Sequence, residues 1–163
     1  MLKQKKTNQL SNQITKMLES AKVKYKILEH KVVYTAHDTA QTTKKKLSEI
    51  AKVVLVKADK EFVLIVLPAG KYIDFNCIKK ALKAKKVSIA SEKDIKKYLK
   101  TKIGLLHPFG LEYNLKTLLD KGLSRSKKII ASAGNYTHSV ELAIKDFEKI
   151  IKPIKGMFSK AKK

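Results

Sequence analysis

The chain has 163 residues, of which 37 are lysine or arginine and 14 are aspartate or glutamate, so its formal net charge is +23. Apolar residues make up 44%, with only 6 glycines and 3 prolines, which excludes a disordered or low-complexity chain and fits one domain with a single core. No apolar run could span a bilayer, residues 1–10 lack the apolar core of a secretory signal, and the single cysteine excludes a disulfide framework or a cysteine-built zinc site. A cytoplasmic protein is therefore expected.

The first half of the chain alternates predicted helices with predicted strands. Apolar residues at helical spacing predict an amphipathic helix over residues 11–22, and residues 24–30 alternate as a short strand. A helix with a thin apolar face is predicted over about residues 35–50. The clearest pattern is a hairpin, in which two apolar arms, residues 53–56 and 62–67, flank a polar turn. Because both arms are apolar at consecutive positions, both faces of the sheet are expected to be covered.

A further helix, strand and helix are predicted in the middle of the chain. Asp74 caps the first helix, residues 86–90 alternate as a strand, and Ser91 with Asp94 forms a start like a capping box for the second helix. Glycine and proline then indicate a loop over residues 104–110.

Three elements are predicted after this loop: strands over residues 117–123 and 128–133, and a final helix that begins near His138. The ends, residues 1–10 and 155–163, are rich in lysine and are predicted to be basic tails on either side of one domain, residues 11–154. Helices interspersed with strands predict an α/β or α+β domain with a mixed sheet.

The excess of positive charge indicates an anionic partner. Such a field concentrates polyanions, so nucleic acid is the first expectation and an anionic membrane surface the second. Arg125 is the only arginine. Since bidentate recognition of guanine favours arginine, lysine contacts to phosphates are expected rather than sequence-specific binding of a duplex. The alternative is that the lysines only keep the protein soluble.

The signatures of the common enzyme classes are absent. The sequence has no phosphate-binding loop, nucleophile elbow, dinucleotide fingerprint or H-E-x-x-H motif. Its four histidines are scattered without the spacing of metal ligands: His30, His37, His107 and His138. Neither a metal nor a cofactor is therefore expected.

Two places are candidates for chemistry. Lys52 opens the first arm of the hairpin, where alternation puts it on the same face as Val54 and Val56. It is either a lysine that extends from a strand end into solvent or a desolvated ammonium that binds a carbonyl oxygen in a pocket. The loop at residues 104–110 is either an ordinary connection or the rigid rim of a binding cleft.

Three short segments occur together in order: residues 51–56 (AKVVLV), residues 104–110 (GLLHPFG) and residues 132–135 (SAGN). In order and spacing they resemble the YbaK-type aminoacyl-tRNA deacylases, the superfamily that includes the editing domain inserted in bacterial prolyl-tRNA synthetase. The resemblance extends from about residue 11 to residue 151. It implies a single domain with a mixed central sheet packed by helices, like that editing domain.

The first two segments imply a catalytic residue and a loop that binds the tRNA. By this resemblance Lys52 is the essential lysine of the family. Gly104 and Pro108 match the family's G-x-x-x-P loop, which grips the end of the tRNA and shapes the pocket. Val53 follows the lysine at a position near the substrate, where many members carry a polar residue such as threonine or asparagine.

The third segment implies a turn that binds substrate. Ser132, Gly134 and Asn135 match the small-residue turn that closes the pocket from the other side. Some members carry a histidine close to this turn, which makes His138 a further candidate for substrate binding.

The implied activity is hydrolysis of the ester of a mischarged tRNA in trans, with tRNA(Pro) as the first candidate and prolyl-tRNA synthetase as a candidate partner. An aminoacyl ester is already activated, so a held water, an oriented carbonyl and a stabilised oxyanion suffice without a metal or a side-chain nucleophile. Walls of small residues would select the amino acid by size. Two alternatives stay open: a non-catalytic module of this fold that binds tRNA or a synthetase, and a basic structural RNA-binding protein, which would not explain the three segments.

Overall fold

The computed structural model describes residues 12–102, 105–109 and 114–161. The helices in this part of the chain are α1 (Asn12–Ser20), α2 (Ala36–Thr43), α3 (Phe75–Leu82), α4 (Glu92–Asp94), which continues as a π-helix (Ile95–Leu99), α5 (Lys121–Ser124) and α6 (Ile144–Ile151), with a 3₁₀ turn at Leu47–Glu49. The strands are β1 (Tyr25–Glu29), β2 (Ala51–Ala58), β3 (Glu61–Pro68), β4 (Lys71–Ile73), β5 (Val87–Ile89), β6 (Lys116–Asp120), β7 (Lys128–Ser132), β8 (His138–Ala143), β9 (Ile154–Gly156) and β10 (Ser159–Ala161). The predicted tail at residues 1–10 lies outside the described residues.

A mixed sheet of five strands, in the order β5–β2–β3–β6–β9, forms the centre of the fold. β2 and β3 make the predicted hairpin, antiparallel from Ala51 opposite Pro68 to Ala58 opposite Glu61. β6 and β9 continue the sheet in parallel register beside β3. With its helices packed on the sheets, this architecture confirms the predicted class, a single α+β fold with a mixed sheet.

The two faces of β3 pack against different elements, which is why the apolar residues of the hairpin run on without a break. On one face Ile65 shares a buried cluster with Ile78 of α3 and with Phe158. On the other face Leu64 shares a cluster with Ile95. Residues 63–68 are all buried, as the continuous apolar pattern predicted.

The second sheet has three antiparallel strands in the order β1–β8–β7. A single parallel bridge between Ile50 and Ile130 brings this sheet against the beginning of β2. Helices α1 and α6 cover one of its faces, where Leu18 and Phe147 share a buried cluster with Val140. On its other face, Ile130, Ser132 and Ser139 lie near residues 52–54 of β2.

Side-chain caps begin several helices where the sequence predicts them. Asp74 accepts a hydrogen bond from the backbone N of Cys77 at 3.2 Å, which holds the pKa of the Asp74 carboxyl below its usual value. Ser91 accepts one from the N of Asp94 at 3.1 Å.

The helix predicted over residues 35–50 is shorter than expected. Thr35 caps α2 by accepting a hydrogen bond from the N of Asp38 at 3.0 Å, and the helix ends where Lys44 adopts a φ of 57°. The buried residues of α2 are Thr39 and Ala40. So thin a buried face gives the helix little packing that would extend it.

The prediction of a helix from near His138 is wrong, because these residues form β8 and the helix α6 begins at Ile144. Apolar residues at positions 140, 144, 147 and 151 fit a helical period, but those at 140 and 142 also fit a strand. β8 pairs with both β1 and β7, and this tertiary pairing overrides the local helical pattern. The predicted strand over residues 117–123 also stops early, since Asp120 caps the short helix α5 by accepting from the N of Gly122 at 2.9 Å.

The prediction of a solvated C-terminal tail is wrong for residues 155–161. β9 joins the five-stranded sheet and β10 pairs with β4. Phe158 between them is buried, and its backbone N donates to the Oδ1 of Asp120 at 2.8 Å. One large apolar residue thus anchors a segment whose many lysines suggest a tail. Within the described ranges, no helix has both the length and the apolar character that crossing a membrane requires.

Candidate active site

A cavity of about 280 Å³ lies where the face of β7 and β8 that is turned away from α1 and α6 meets the start of β2. The N-terminal part of α2 closes a second side, and Leu106 closes a third. Four of the predicted site residues line this cavity: Lys52, Ser132, Asn135 and His138. Segments far apart in the sequence therefore meet at one place, as the site prediction requires.

Lys52 lines the cavity at the beginning of β2, and its side chain reaches β4. Its ammonium donates a hydrogen bond to the carbonyl oxygen of Lys71 at 3.2 Å and lies 5.6 Å from the centre of the Tyr72 ring. This hydrogen bond is at the exposed surface, which favours the first of the two alternatives from the sequence, a lysine that extends from the strand end, over a desolvated ammonium. The structure instead gives a charged group held at the edge of the cavity.

The turn between β7 and β8 is built by its own side chains. Ser132 Oγ accepts a hydrogen bond from the N of Gly134 at 3.2 Å, and Gly134 has a φ of 88°, a conformation that a residue with a Cβ adopts only under strain. Asn135 Oδ1 accepts from the N of Thr137 at 3.0 Å and from the N of His138 at 2.8 Å. Asn135 therefore organises the turn, and Gly134 permits its shape.

His138 is buried beside this turn, with both ring nitrogens near polar groups. Nδ1 lies 2.8 Å from Thr137 Oγ1 and 3.3 Å from Asn135 Oδ1. Because the Asn135 oxygen only accepts, Nδ1 is assigned as the protonated nitrogen. Nε2 is 3.9 Å from a carboxylate oxygen of Glu29, whose side chain is exposed. The ring is thus oriented by the turn at the cavity wall.

The loop at residues 105–109 contributes to the cavity through one side chain. Leu106 lines it, whereas Pro108 is buried and is not among the lining residues. His107 is buried as well, its Nδ1 accepts a hydrogen bond from the N of Phe109 at 3.3 Å, and its ring centre is 5.7 Å from that of Phe109. Gly104, a predicted binding residue, lies outside the described residues.

Ser139, His30 and Tyr34 carry no predicted role, yet they lie in or against the cavity. Ser139 lines the cavity, and its Oγ is hydrogen-bonded to the Nε2 of His30 at 2.9 Å. Tyr34 lines its mouth and packs on Tyr136, with 5.1 Å between ring centres. The signal for Ser139 is the alternation of polar and apolar residues at positions 139–142, which the predicted helix concealed.

A buried carboxylate follows Ser139 on the same face of β8. Glu141 is 3.4 Å from the Nζ of Lys45 and 3.7 Å from the Nζ of Lys128. Two ammonium groups thus pair with one carboxylate, and they add positive charge beside the three-stranded sheet.

The chain belongs to the aminoacyl-tRNA editing domain family, whose model matches residues 30–150. The match includes every residue that lines the cavity. It confirms the family that the three sequence segments predict and, with it, the activity of an aminoacyl-tRNA deacylase.

Two proteins of known name are similar to this chain in sequence. The chain is 27% identical over 141 residues to the prolyl-tRNA editing protein ProX of Acetoanaerobium sticklandii, which covers 83% of this chain and 86% of that protein. It is 31% identical over 86 residues to the proline–tRNA ligase of Aquifex aeolicus, which covers 52% of this chain and 15% of the ligase.

Solved structures share the fold. The hypothetical protein APE2540 matches with a TM-score of 0.84 at 18% identity, over 91% of this chain and 100% of that one. A putative trans-editing enzyme for prolyl tRNA synthetase matches with a TM-score of 0.78 at 16% identity, over 91% and 95% of the two chains.

Proposed function

We propose that this protein hydrolyses the ester between a small amino acid and tRNA(Pro), acting in trans on tRNA that a synthetase has mischarged. The observation that carries the proposal is the meeting of Lys52, Ser132, Asn135 and His138 around one cavity in a member of the editing family. Two relatives whose names refer to prolyl-tRNA editing and to proline–tRNA ligase support tRNA(Pro) as the substrate.

In the proposed mechanism Lys52 supplies the charge that the reaction needs. Water attacks the ester carbonyl, and negative charge develops on its oxygen, where a cation stabilises the transition state. The acyl C–O bond then breaks and releases the amino acid, and the proton given up by the water ends on the ribose hydroxyl of the tRNA. The Lys52 ammonium is held beside the cavity by the carbonyl oxygen of Lys71. The flexible stem of lysine allows the ammonium to turn from that carbonyl to the ester when the tRNA binds.

The walls of the proposed site select the amino acid by size. Apolar side chains line much of the cavity, including Ile50, Val53, Leu106 and Ile130. A synthetase site shaped for proline cannot strongly exclude a smaller amino acid, because a missing methylene changes binding only modestly. A second site that admits only small residues corrects such errors, and Val53 makes its wall apolar next to Lys52.

The experiment that tests the proposal is deacylation of a panel of aminoacyl-tRNAs by purified protein. We expect rapid hydrolysis of alanyl-tRNA(Pro), a representative small ester, and slow hydrolysis of prolyl-tRNA(Pro). Hydrolysis of alanyl esters on every tRNA alike would refute the tRNA(Pro) preference. Binding of tRNA without any hydrolysis would instead identify a non-catalytic module.

The lysines are proposed to contact the phosphates of the tRNA. If about six phosphates are contacted, affinity should fall by about 10³ between roughly 50 and 200 mM salt, with duplex DNA as the guide. Filter binding or fluorescence anisotropy across this range measures the slope. A flat response would mean that the lysines only keep the protein soluble.

The reaction is proposed to need no metal. In the described part of the chain, no three histidine, cysteine, aspartate or glutamate side chains are grouped as they would be to hold a metal ion. We expect a chelator of transition metals to leave deacylation unchanged at constant Mg²⁺. Loss of activity that added zinc reverses would contradict this.

Prolyl-tRNA synthetase is proposed as a partner in the cytoplasm. Deacylation measured with and without the synthetase tests this partnership.

A further inference from the structure

Two serines are neighbours on adjacent strands in the wall of the cavity, and their hydrogen bonds differ, because one hydroxyl accepts and the other donates. Ser132 of β7 and Ser139 of β8 are register partners, so their side chains project from the same face of the sheet, and both line the cavity. Ser132 Oγ accepts from the N of Gly134 at 3.2 Å, which directs its own proton elsewhere as a donor.

His30 determines the polarity of Ser139. The Nδ1 of His30 lies 2.8 Å from the carbonyl oxygen of Lys31, and because a carbonyl only accepts, Nδ1 is assigned as the protonated nitrogen. The Nε2 of neutral His30 is then an acceptor, and it lies 2.9 Å from Ser139 Oγ. Ser139 therefore donates its proton to His30 and offers its oxygen lone pairs as hydrogen-bond acceptors.

We propose that Ser139 accepts a hydrogen bond from the α-amino group of the aminoacyl ester, with His30 as the positioning residue that keeps Ser139 an acceptor. This inference rests on the proposed function. In a small aminoacyl group the ester oxygens only accept and an alkyl side chain does neither, so the α-amino group is the donor that such a site can recognise.

The depth of Ser139 assigns it to the amino acid rather than to the ribose. Ser139 is 2% exposed, whereas Tyr34 at the mouth of the cavity is 64% exposed. The amino acid enters the cavity first and reaches its deep end, while the terminal nucleotide of the tRNA stays at the mouth. Buried polar groups that match a substrate's own donors discriminate strongly against analogues that lack them.

The test compares alanyl-tRNA(Pro) with propionyl-tRNA(Pro), which has the same carbon skeleton without the amino group. Each single-turnover rate is divided by the rate of spontaneous hydrolysis of the same ester, because the amino group itself activates the ester. We expect the wild type to prefer the alanyl ester by about ten- to a hundredfold, the range for a hydrogen bond to a charged group. Ser139→Ala should lose most of this preference.

Controls separate recognition from structure. Ser88→Ala, an exposed serine on β5, should keep the wild-type preference. His30→Leu should lower it as Ser139→Ala does, whereas His30→Gln, whose carbonyl oxygen can take the Ser139 proton, should retain more of it. Thermal denaturation of each variant verifies that the fold is intact.

Several results would overturn the inference. Equal normalised rates for the two esters in the wild type would do so, as would a preference that survives Ser139→Ala. If Ser139→Ala hydrolysed neither the alanyl nor the propionyl ester, and an acyl-serine were trapped in the wild type, Ser139 would be a nucleophile instead. If the wild type hydrolyses no ester, the proposed function fails. Equilibrium binding of the two amide-linked, hydrolysis-resistant analogues then still tests the recognition of the amino group.

Discussion

β3 and β8 are both central strands with buried side chains, but they bury different chemistry. Residues 63–68 of β3 are apolar throughout, whereas β8 buries His138, Ser139 and Glu141 among its apolar residues. A buried polar group is stable only when it is hydrogen-bonded or paired, and each of these three has such a partner. The five-stranded sheet therefore mainly supplies stability, and the three-stranded sheet mainly supplies the polar side of the site.

Lys52 is the exception to this division, because it is the proposed catalytic residue and it lies on the hairpin of the five-stranded sheet. Lys52→Ala should lower the deacylation rate by about 10²–10³, as removal of an oxyanion donor does in other enzymes. The fold should be unaffected, since its hydrogen bond to Lys71 is exposed. Single-turnover kinetics and a thermal melt measure both effects.

A matched control lies on the same strand. Lys57 is exposed near the other end of β2, with its ammonium 5.9 Å from the centre of the Phe62 ring, so Lys57→Ala should leave turnover unchanged. Near-wild-type turnover in Lys52→Ala would remove Lys52 from the mechanism and would leave the hairpin a purely structural element.

A conservative change in β3 sharpens the comparison from the other side. Ile65→Val removes one buried methylene and should lower the free energy of unfolding by about 0.5–1.5 kcal/mol. Turnover should not change, because Ile65 faces α3 and not the cavity. Urea denaturation measures the first quantity, and a fall in turnover of the folded protein would show that β3 also shapes the site.

Glu141 tests how much the buried charge of β8 contributes to stability. Its carboxylate pairs with Lys45 and Lys128, whose side chains are 41% and 61% exposed. Glu141→Gln should therefore cost less than about 1 kcal/mol at low salt, and less still at high salt. Glu148→Gln, which breaks a pair with Lys155 on the surface of α6, is the matched control. A salt-independent loss would mean that desolvation rather than ion pairing sets the cost.

His107 should have little effect on activity. Its Nδ1 accepts from the N of Phe109 within the buried loop, away from the cavity lining. His107→Ala should therefore reduce turnover by much less than the roughly 10²–10⁴ that loss of a general base costs. A loss of that size, in a variant that still melts cooperatively, would place His107 in the proton transfer.

The sequence predicts β3 well and β8 poorly because the apolar pattern of β3 is local, whereas important contacts of β8 are made with residues distant in the sequence. A short run of apolar, largely β-branched residues such as Val63 to Leu67, which follows a polar turn, indicates a strand covered on both faces. In β8 the partners of Ser139 and Glu141 include His30 and Lys45, which lie about a hundred residues away, so the local sequence does not reveal what stabilises these two buried polar side chains. Phe158 is a comparable case, since its anchor is Asp120.

The candidate site, too, is only partly predictable from the sequence. The family's segments lead to Lys52 and to the turn that begins at Ser132, because their residue types and spacing are local. The turn-building hydrogen bonds of Asn135 are also local, since they go to residues two and three positions ahead. The position of the Lys52 ammonium against Lys71 depends on a contact across 19 residues, which the local sequence does not show.

The pairing of β1 with β8 has a consequence for how the protein is made. These strands lie more than a hundred residues apart in the chain, and β9 pairs with β6 only when residues 154–156 are present. Loop closure over such distances slows folding, and a nascent chain cannot complete the three-stranded sheet while β8 is inside the ribosome, or the five-stranded sheet while β9 is. The cavity therefore cannot form before residues 138–143 have left the ribosome, because His138 and Ser139 line it.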